Sequence, residues 1–200
     1  MTETSFTGIL LAGGMSRRYG SPKAFATLGD RTFYEISYDN LRSLCDHVVI
    51  VTQQNFVSRF PSHLHVVTDD PTFKGLGPLA GIYTAMQSHT AHNYVVLPCD
   101  MPLLRHGALN RLRSYHTKDV TVVTVDGRIQ PLVSIWNKRT KQAIERCLKE
   151  KNLKMTNVLD RLQTVYVASN TLTDDTFIFM NVNTQEDDEE MRKWHKSSMR

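Results

Sequence analysis

The chain has 200 residues, 40% hydrophobic and 22% charged, with a formal net charge of +4. By area scaling, a chain of this mass buries roughly 70% of its extended surface, enough for one self-sufficient core. Its 10 glycines and 7 prolines exclude collagen-like and low-complexity classes, and so mild a positive excess suits anionic ligands without marking a nucleic-acid binder.

No apolar run approaches the ~20 residues that span a bilayer, and residues 1–5 carry no basic start. The sequence therefore reads as soluble, not exported and cytoplasmic, with no membrane partner. Cys45, Cys99 and Cys147 are scattered and form no C-x-x-C pair, which argues against a disulfide framework or a structural zinc and for a reducing compartment.

Residues 9–11 predict the first strand, which runs into Gly13-Gly14. A helix is expected over 32–45, a strand over 48–51 and a helix over 54–60. A third strand, 65–68, ends at Asp69-Asp70. Pro78 suits the first position of a helix over 78–88, where its missing N–H costs nothing. Residues 94–97 form the next strand, ending at Pro98-Cys99-Asp100, with a helix over 105–116 and a strand over 120–125 after it. Residues 128–136 read as a strand that Pro131 confines to an edge or a bulge. A basic helix over 138–151, a short strand over 177–180 and a final helix complete the chain; Thr184 caps that helix, with Asp187 at the reciprocal position. Continuous apolar strands alternating with helices indicate a three-layer α/β/α, Rossmann-like α/β fold with a mostly parallel sheet. No repeat or linker divides it, so residues 1–200 are read as a single domain.

Ligands of such sheets bind beyond the carboxyl ends of the strands. After the first strand stand Leu11-Ala12-Gly13-Gly14-Met15-Ser16-Arg17-Arg18-Tyr19-Gly20-Ser21-Pro22-Lys23. This is neither a Walker A loop nor G-x-G-x-x-G. It still holds what a polyphosphate cradle needs: glycines that bare backbone N–H groups, a hydroxyl, and the charges of Arg17, Arg18 and Lys23. Asp69-Asp70-Pro71 and Gly75-Leu76-Gly77-Pro78-Leu79-Ala80-Gly81 leave the third strand, where a carboxylate can accept from a guanine N–H or a sugar hydroxyl. Asp100, at the end of the strand over 94–97, has the oxygen ligands that Mg²⁺ prefers. Cys99 reads as a small buried residue. His63-x-His65 and His89-x-x-His92 are too sparse for zinc and read as surface residues.

The pattern L-A-G-G-x-S-x-R-x-G-x-x-K resembles nucleotidyltransferases, and with Gly77-Pro78-Leu79-Ala80-Gly81-Ile82 it resembles the molybdenum cofactor guanylyltransferase family, from about residue 6 to about 190. Relatives that transfer CMP usually carry Ala-Ala-Gly where this chain has Ala12-Gly13-Gly14. The resemblance implies a nucleotidyltransferase fold that moves GMP from GTP to the terminal phosphate of molybdopterin carrying molybdenum, releasing pyrophosphate. It implies GTP contacts from Leu11, Ala12, Gly13, Gly14, Lys23, Asp70, Gly77 and Asp100, with Arg18, Lys23 and Asp100 catalytic and Mg²⁺ on Asp100. Gln130 matches a position near the acceptor, and Asn181 and Asn183 match a motif near the active site whose amides would aid either magnesium or the pterin acceptor, so the N-terminal half would bind GTP and the C-terminal half the acceptor. Molybdenum-insertion proteins and molybdoenzyme chaperones are the implied protein partners. Some family members carry an Asn after the second strand; here that stretch is Val51-Thr52-Gln53-Gln54, and no nucleotide contact is expected from it. The rival readings are the same chemistry with CTP or a sugar phosphate, and a non-catalytic nucleotide-binding adaptor; no nucleic acid is expected as a partner.

Overall fold

The structure, a computed structural model, describes residues 5–14 and 19–198. In chain order the elements are β1 (Phe6–Leu11), the two-residue strands β2 (Thr27–Leu28) and β3 (Arg31–Thr32), α1 (Phe33–Arg42), β4 (His47–Thr52), β5 (His65–Thr68), α2 (Pro78–Ser88), β6 (Asn93–Pro98), α3 (His106–Ser114), β7 (Val120–Val125), β8 (Arg128–Asn137), α4 (Lys141–Lys149), α5 (Met155–Leu159), β9 (Thr164–Ala168), α6 (Ser169–Leu172) and α7 (Gln185–Ser198). One sheet orders as β5-β4-β1-β6-β8-β7-β9. β5, β4, β1 and β6 run parallel, β8 is antiparallel to both its neighbours, and β9 returns parallel to β7.

The strand residues alternate between two cores. Ile9, Val49, Val51 and Val96 face the layer containing α2 and α4, while Leu10, Ile50, Val95 and Leu97 face the layer containing α1 and α3. That two-sided burial is why these strands read as unbroken apolar runs. α2 packs closely on the sheet: a Cβ added at Gly81 would stand 2.9 Å from Leu11 Cδ2 and 3.3 Å from Val51 Cγ1.

Pro131 lies in a bulge, inside a strand that has neighbours on both sides. Val122 pairs with Ser134 and Val123 with Gln130, so residues 131–133 leave the ladder. The bulge is closed by a relay in which Trp136 Nε1 donates to Ser134 Oγ at 2.7 Å and Ser134 Oγ donates to the Pro131 carbonyl at 2.8 Å.

Some sequence expectations need correction. Residues 177–180 are not a strand: Thr176–Phe179 is a 3₁₀ turn whose Phe177 N–H is taken by the Asp175 carboxylate. The helix expected over 54–60 is also 3₁₀, Gln54–Arg59. β9, α5 and α6 lie outside the elements expected from the sequence. Among the described residues, no helix is long and apolar enough to cross a membrane. All three cysteines are buried and free.

His65 and His89 are not isolated surface residues. At the amino-terminal edge of the sheet, His47 Nε2 lies 2.7 Å from His65 Nδ1, and the His47 and His89 rings stack at 4.0 Å. Burial, then the neighbouring imidazoles, and finally Arg42 depress His47, while burial and His89 depress His65. A base whose folded pKa is lowered gives stability that is present above its unfolded value, near 6.5, and lost as pH falls through the folded value. Urea unfolding followed with pH is therefore expected to weaken below about pH 6.5, and the decline should flatten in His47→Gln. An unchanged acid limb in that variant would contradict this.

Candidate active site

The carboxyl ends of β1, β4, β5 and β6 open on a cavity of about 1200 Å³. It is large for a small-molecule pocket, with room for two substrates. Its floor is a three-part contact. Lys23 Nζ donates to Asp100 Oδ2 at 2.6 Å and to Asn183 Oδ1 at 2.9 Å. The Lys23 and Asp100 side chains are only 11% and 20% exposed.

Each partner is fixed by its own element. Lys23 begins a 3₁₀ turn, Lys23–Phe25, entered through Pro22. Asp100 follows β6, and its carbonyl accepts the Val182 N–H at 2.8 Å, drawing the segment before α7 to the strand end. Asn183 sits at the start of that helix. There the Asp187 carboxylate accepts the N–H groups of Asn183 and Thr184 at 2.7 and 2.9 Å, while Thr184 Oγ1 accepts the Asp187 N–H at 3.2 Å. The reciprocal cap expected between Thr184 and Asp187 is thus present. Cys99 is buried, and burial followed by the Asp100 charge pushes its thiol up to about 12. A thiol raised that far is not a thiolate nucleophile at neutral pH.

Leu11, Gly13 and Gly14 reach the cavity after β1, as expected. Ala12 does not: its N–H is committed to the Val51 carbonyl at 2.8 Å, and its own carbonyl accepts from Thr52 Oγ1 at 3.2 Å. The sheet ladder runs one residue further than the sequence suggested, so any anion contact from this backbone begins at Gly13. Gly77 lines the cavity as the residue before α2, with φ +77° and ψ −160°. Only glycine holds that conformation without strain. The expectation for Arg18 lies outside the described residues.

The two neighbouring acids separate. Asp69 lines the cavity, and Asp70 lies in an adjoining depression that shares Gln54 and Thr68 with it. Asp70 Oδ1 accepts the Thr72 N–H at 2.8 Å and caps the 3₁₀ turn Pro71–Phe73. Asp70 thus stands beside the cavity with its carboxylate engaged in a turn cap. Asp69 is half-buried; burial raises its carboxyl above the usual range, against the lowering effects of the Gly75 N–H and of Lys74. Its Oδ2 accepts that N–H at 3.2 Å.

Sequence reasoning also missed the wall made by Thr52, Gln53, Gln54 and Asn55, all of which line the cavity although no nucleotide contact was expected there. Gln53 Nε2 also donates to the Gly13 carbonyl and ties this wall to the glycine loop. The rule that locates the other segments, beyond the carboxyl end of a strand, would have found this one. Of the acceptor-side candidates, Asn183 lines the cavity, and Leu132 from the β8 bulge joins it. Gln130 and Asn181 are brought together beside that bulge, with Asn181 Nδ2 donating to Gln130 Oε1 at 3.3 Å.

Residues 8–165 match the model of the MobA-like NTP transferase domain. The chain belongs to that family. It is 39% identical, over 88% of its length and 93% of the relative's, to a protein of Geobacillus sp. (strain WCH70) named "probable molybdenum cofactor guanylyltransferase". A protein of the same name from Bacillus subtilis (strain 168) is 36% identical over 90% of both chains. Among solved structures, molybdopterin-guanine dinucleotide biosynthesis protein A of Archaeoglobus fulgidus superposes with a TM-score of 0.81 at 22% identity, covering 96% of this chain and 99% of its own. A 2-C-methyl-D-erythritol 4-phosphate cytidylyltransferase from Thermus thermophilus shares the fold at TM-score 0.69 and 14% identity, over 94% and 98% of the two chains. The MobA-like family is one of nucleotidyltransferases, and the seven-stranded sheet with helices on both faces is its fold.

Proposed function

We propose that this protein transfers GMP from GTP to the terminal phosphate of molybdopterin carrying molybdenum, giving the guanine dinucleotide cofactor and pyrophosphate. The observation that supports it is the Lys23 ammonium held between Asp100 and Asn183 at the floor of a cavity lined by the glycine loop. The family and the names of the relatives supply the choice of base and acceptor.

An oxygen of the acceptor phosphate forms a bond to the α-phosphorus of GTP while the bond from that phosphorus to the bridging oxygen breaks. The electron pair leaves with pyrophosphate. The acceptor is already anionic, so no protein nucleophile is needed. What the protein supplies is positioning and positive charge where two anions meet. Lys23 brings that charge, the backbone at Gly13 and Gly14 would border the phosphates, and the amino-terminal end of α2, at Gly77 and Pro78, meets the cavity. Leu132 and Asn183 line the cavity, Gln130 and Asn181 pair beside the β8 bulge, and we give this side and the later half of the chain to the pterin.

The donor set fits magnesium. Asp100 and Asn183 offer hard oxygen ligands, and among the described residues no cluster of three His, Cys, Asp or Glu could hold a metal. Magnesium characteristically takes one or two carboxylates and completes its shell with water and substrate phosphates. Asp100 would hold it. There the ion would neutralise charge on the triphosphate.

We add Asp69 to Asp70 as a residue for guanine recognition, because Asp69 lines the cavity and Asp70 lies in the depression adjoining it. Hydrogen bonds to a charged group are worth about 1.5–3 kcal/mol, so Asp69→Asn is expected to raise KM for GTP roughly 10–100-fold. Stability should move the other way. An acid with a raised folded pKa binds more protons folded than unfolded, so it lowers stability as pH rises from the ordinary carboxylate value through the folded one. Asp69→Asn is therefore expected to melt no lower than the parent at pH 7, with the difference closing in acid. A variant that keeps the parent's KM, or that melts lower at pH 7, would refute the assignment.

The reading as a whole is tested by incubating the protein with molybdopterin and each nucleoside triphosphate in turn, then weighing the pterin product by mass spectrometry. Addition of GMP from GTP alone supports it. Addition of CMP would assign the chain to cytidylyl transfer, and nucleotide binding without magnesium-dependent pyrophosphate would make it an adaptor.

A further inference from the structure

The segment that carries Lys23 is gripped on both flanks by α7, a helix lying outside residues 8–165 that match the family. Tyr19, four residues before the lysine, is buried. Its hydroxyl donates to Asp188 Oδ1 at 3.1 Å, and its carbonyl accepts from Gln185 Nε2 at 3.2 Å. Thr27, four residues after the lysine, accepts at its carbonyl from Arg192 Nη2 at 2.6 Å. Arg192 closes the clasp by donating from Nε to Asp188 Oδ2 at 2.6 Å and from Nη2 to Asp188 Oδ1 at 3.2 Å. The preceding residue, Asp187, fixes the backbone of Asn183, whose side chain is the lysine's second partner. The first two turns of one helix therefore set both flanks of Lys23 and the amide that receives it. Burial and the nearby carboxylate raise the Tyr19 hydroxyl, which keeps it a donor at neutral pH.

We propose that Asp188 is a positioning residue for Lys23, holding residues 19–27 through Tyr19 and Arg192 so that the ammonium falls between Asp100 and Asn183. This rests on the reading of Lys23 as the cation at the transferred phosphate. An i,i+4 ion pair whose arginine is 38% exposed adds little to stability. Its effect is on where the lysine stands, since small displacements of a charged group at a reacting centre cost rate steeply.

The test is GTP-dependent pyrophosphate release by the full chain. Asp188→Ala is expected to lower kcat about tenfold and to change KM for GTP by less than about twofold. In a Lys23→Ala background the same substitution is expected to cost less than about twofold, because the group it places is gone. Tyr19→Phe, which deletes one hydroxyl, should show a smaller loss with the same dependence on Lys23. It carries the test if circular dichroism finds Asp188→Ala unfolded, and Asp188→Glu should restore part of the rate. A contact that serves stability alone lowers both backgrounds by one factor. That outcome, or turnover within about twofold of the parent in both Asp188→Ala and Tyr19→Phe, overturns the proposal. If Lys23→Ala itself turns over normally, the functional reading falls and this inference falls with it; if only Lys23→Ala is slow, the positioning role alone is lost.

Discussion

Replacing Lys23 by alanine is expected to lower pyrophosphate release by roughly 10²–10³, the usual loss when one preorganised charged donor leaves a transition state. Attack of one phosphate on another brings like charges together, and the Lys23 ammonium is the cation that the structure holds at the cavity floor, 2.6 Å from Asp100 Oδ2. Asp100→Asn should fall by a similar factor for a different reason. Its amide still accepts from Lys23 but ligates a hard cation weakly, so part of its loss should be recovered by raising magnesium while that of Lys23→Ala is not. Lys23→Arg should rescue poorly. A planar guanidinium cannot take the place of a compact ammonium wedged between a carboxylate and an amide oxygen, in a site where the lysine side chain is 11% exposed. Steady-state kinetics on folded variants settles the matter: if Lys23→Ala and Asp100→Asn both retain near-parental turnover, the floor of the cavity is not the reacting site.

Much of this site was legible because an α/β sheet places whatever follows its parallel strands on one edge. Gly13 and Asp100 could be picked out by that position, whereas Asn183 follows a 3₁₀ turn and is reached through the family resemblance instead. What position could not give was phase and partnership. Asp69 and Asp70 are adjacent in the sequence, and only the structure shows that one carboxylate accepts the Gly75 N–H and the other the Thr72 N–H. Ala12 stood among glycines, yet its N–H is consumed by Val51 because the ladder extends past the apolar run. The 3₁₀ turn Thr176–Phe179 has the apolar content of a strand; four residues are too few to show either period. β9 lay outside the expected elements although its Thr164-Val165-Tyr166-Val167-Ala168 run has the β-branched and aromatic content of a strand. The clasp of Tyr19, Asp188 and Arg192 joins residues 169 apart in the chain, a distance over which no local pattern reaches.

Trp136→Ala is expected to destabilise the protein by about 3–5 kcal/mol, a large share of the 5–15 kcal/mol typical of a folded domain. Trp136 is fully buried, paired with Tyr94 of β6 and Val120 of β7. Its removal leaves a cavity in the core shared by α2 and α4, and the melting temperature should drop by roughly 6–20 °C. Trp136→Phe separates packing from hydrogen bonding. The smaller ring keeps most of the apolar volume, but the indole N–H no longer reaches Ser134 Oγ, and the hydroxyl that ties down the Pro131 carbonyl loses its anchor. That relay shapes the bulge from which Leu132 enters the cavity. Trp136→Phe should therefore cost only about 1–2 kcal/mol. Its kinetic effect should fall on the acceptor, raising KM for molybdopterin while KM for GTP stays near the parent's, because the proposed nucleotide side is the one lined by residues that follow β1, β4 and β5. Equal shifts in both constants would mean that the bulge does not border the acceptor, and the division of the cavity between the two halves of the chain would have to be redrawn.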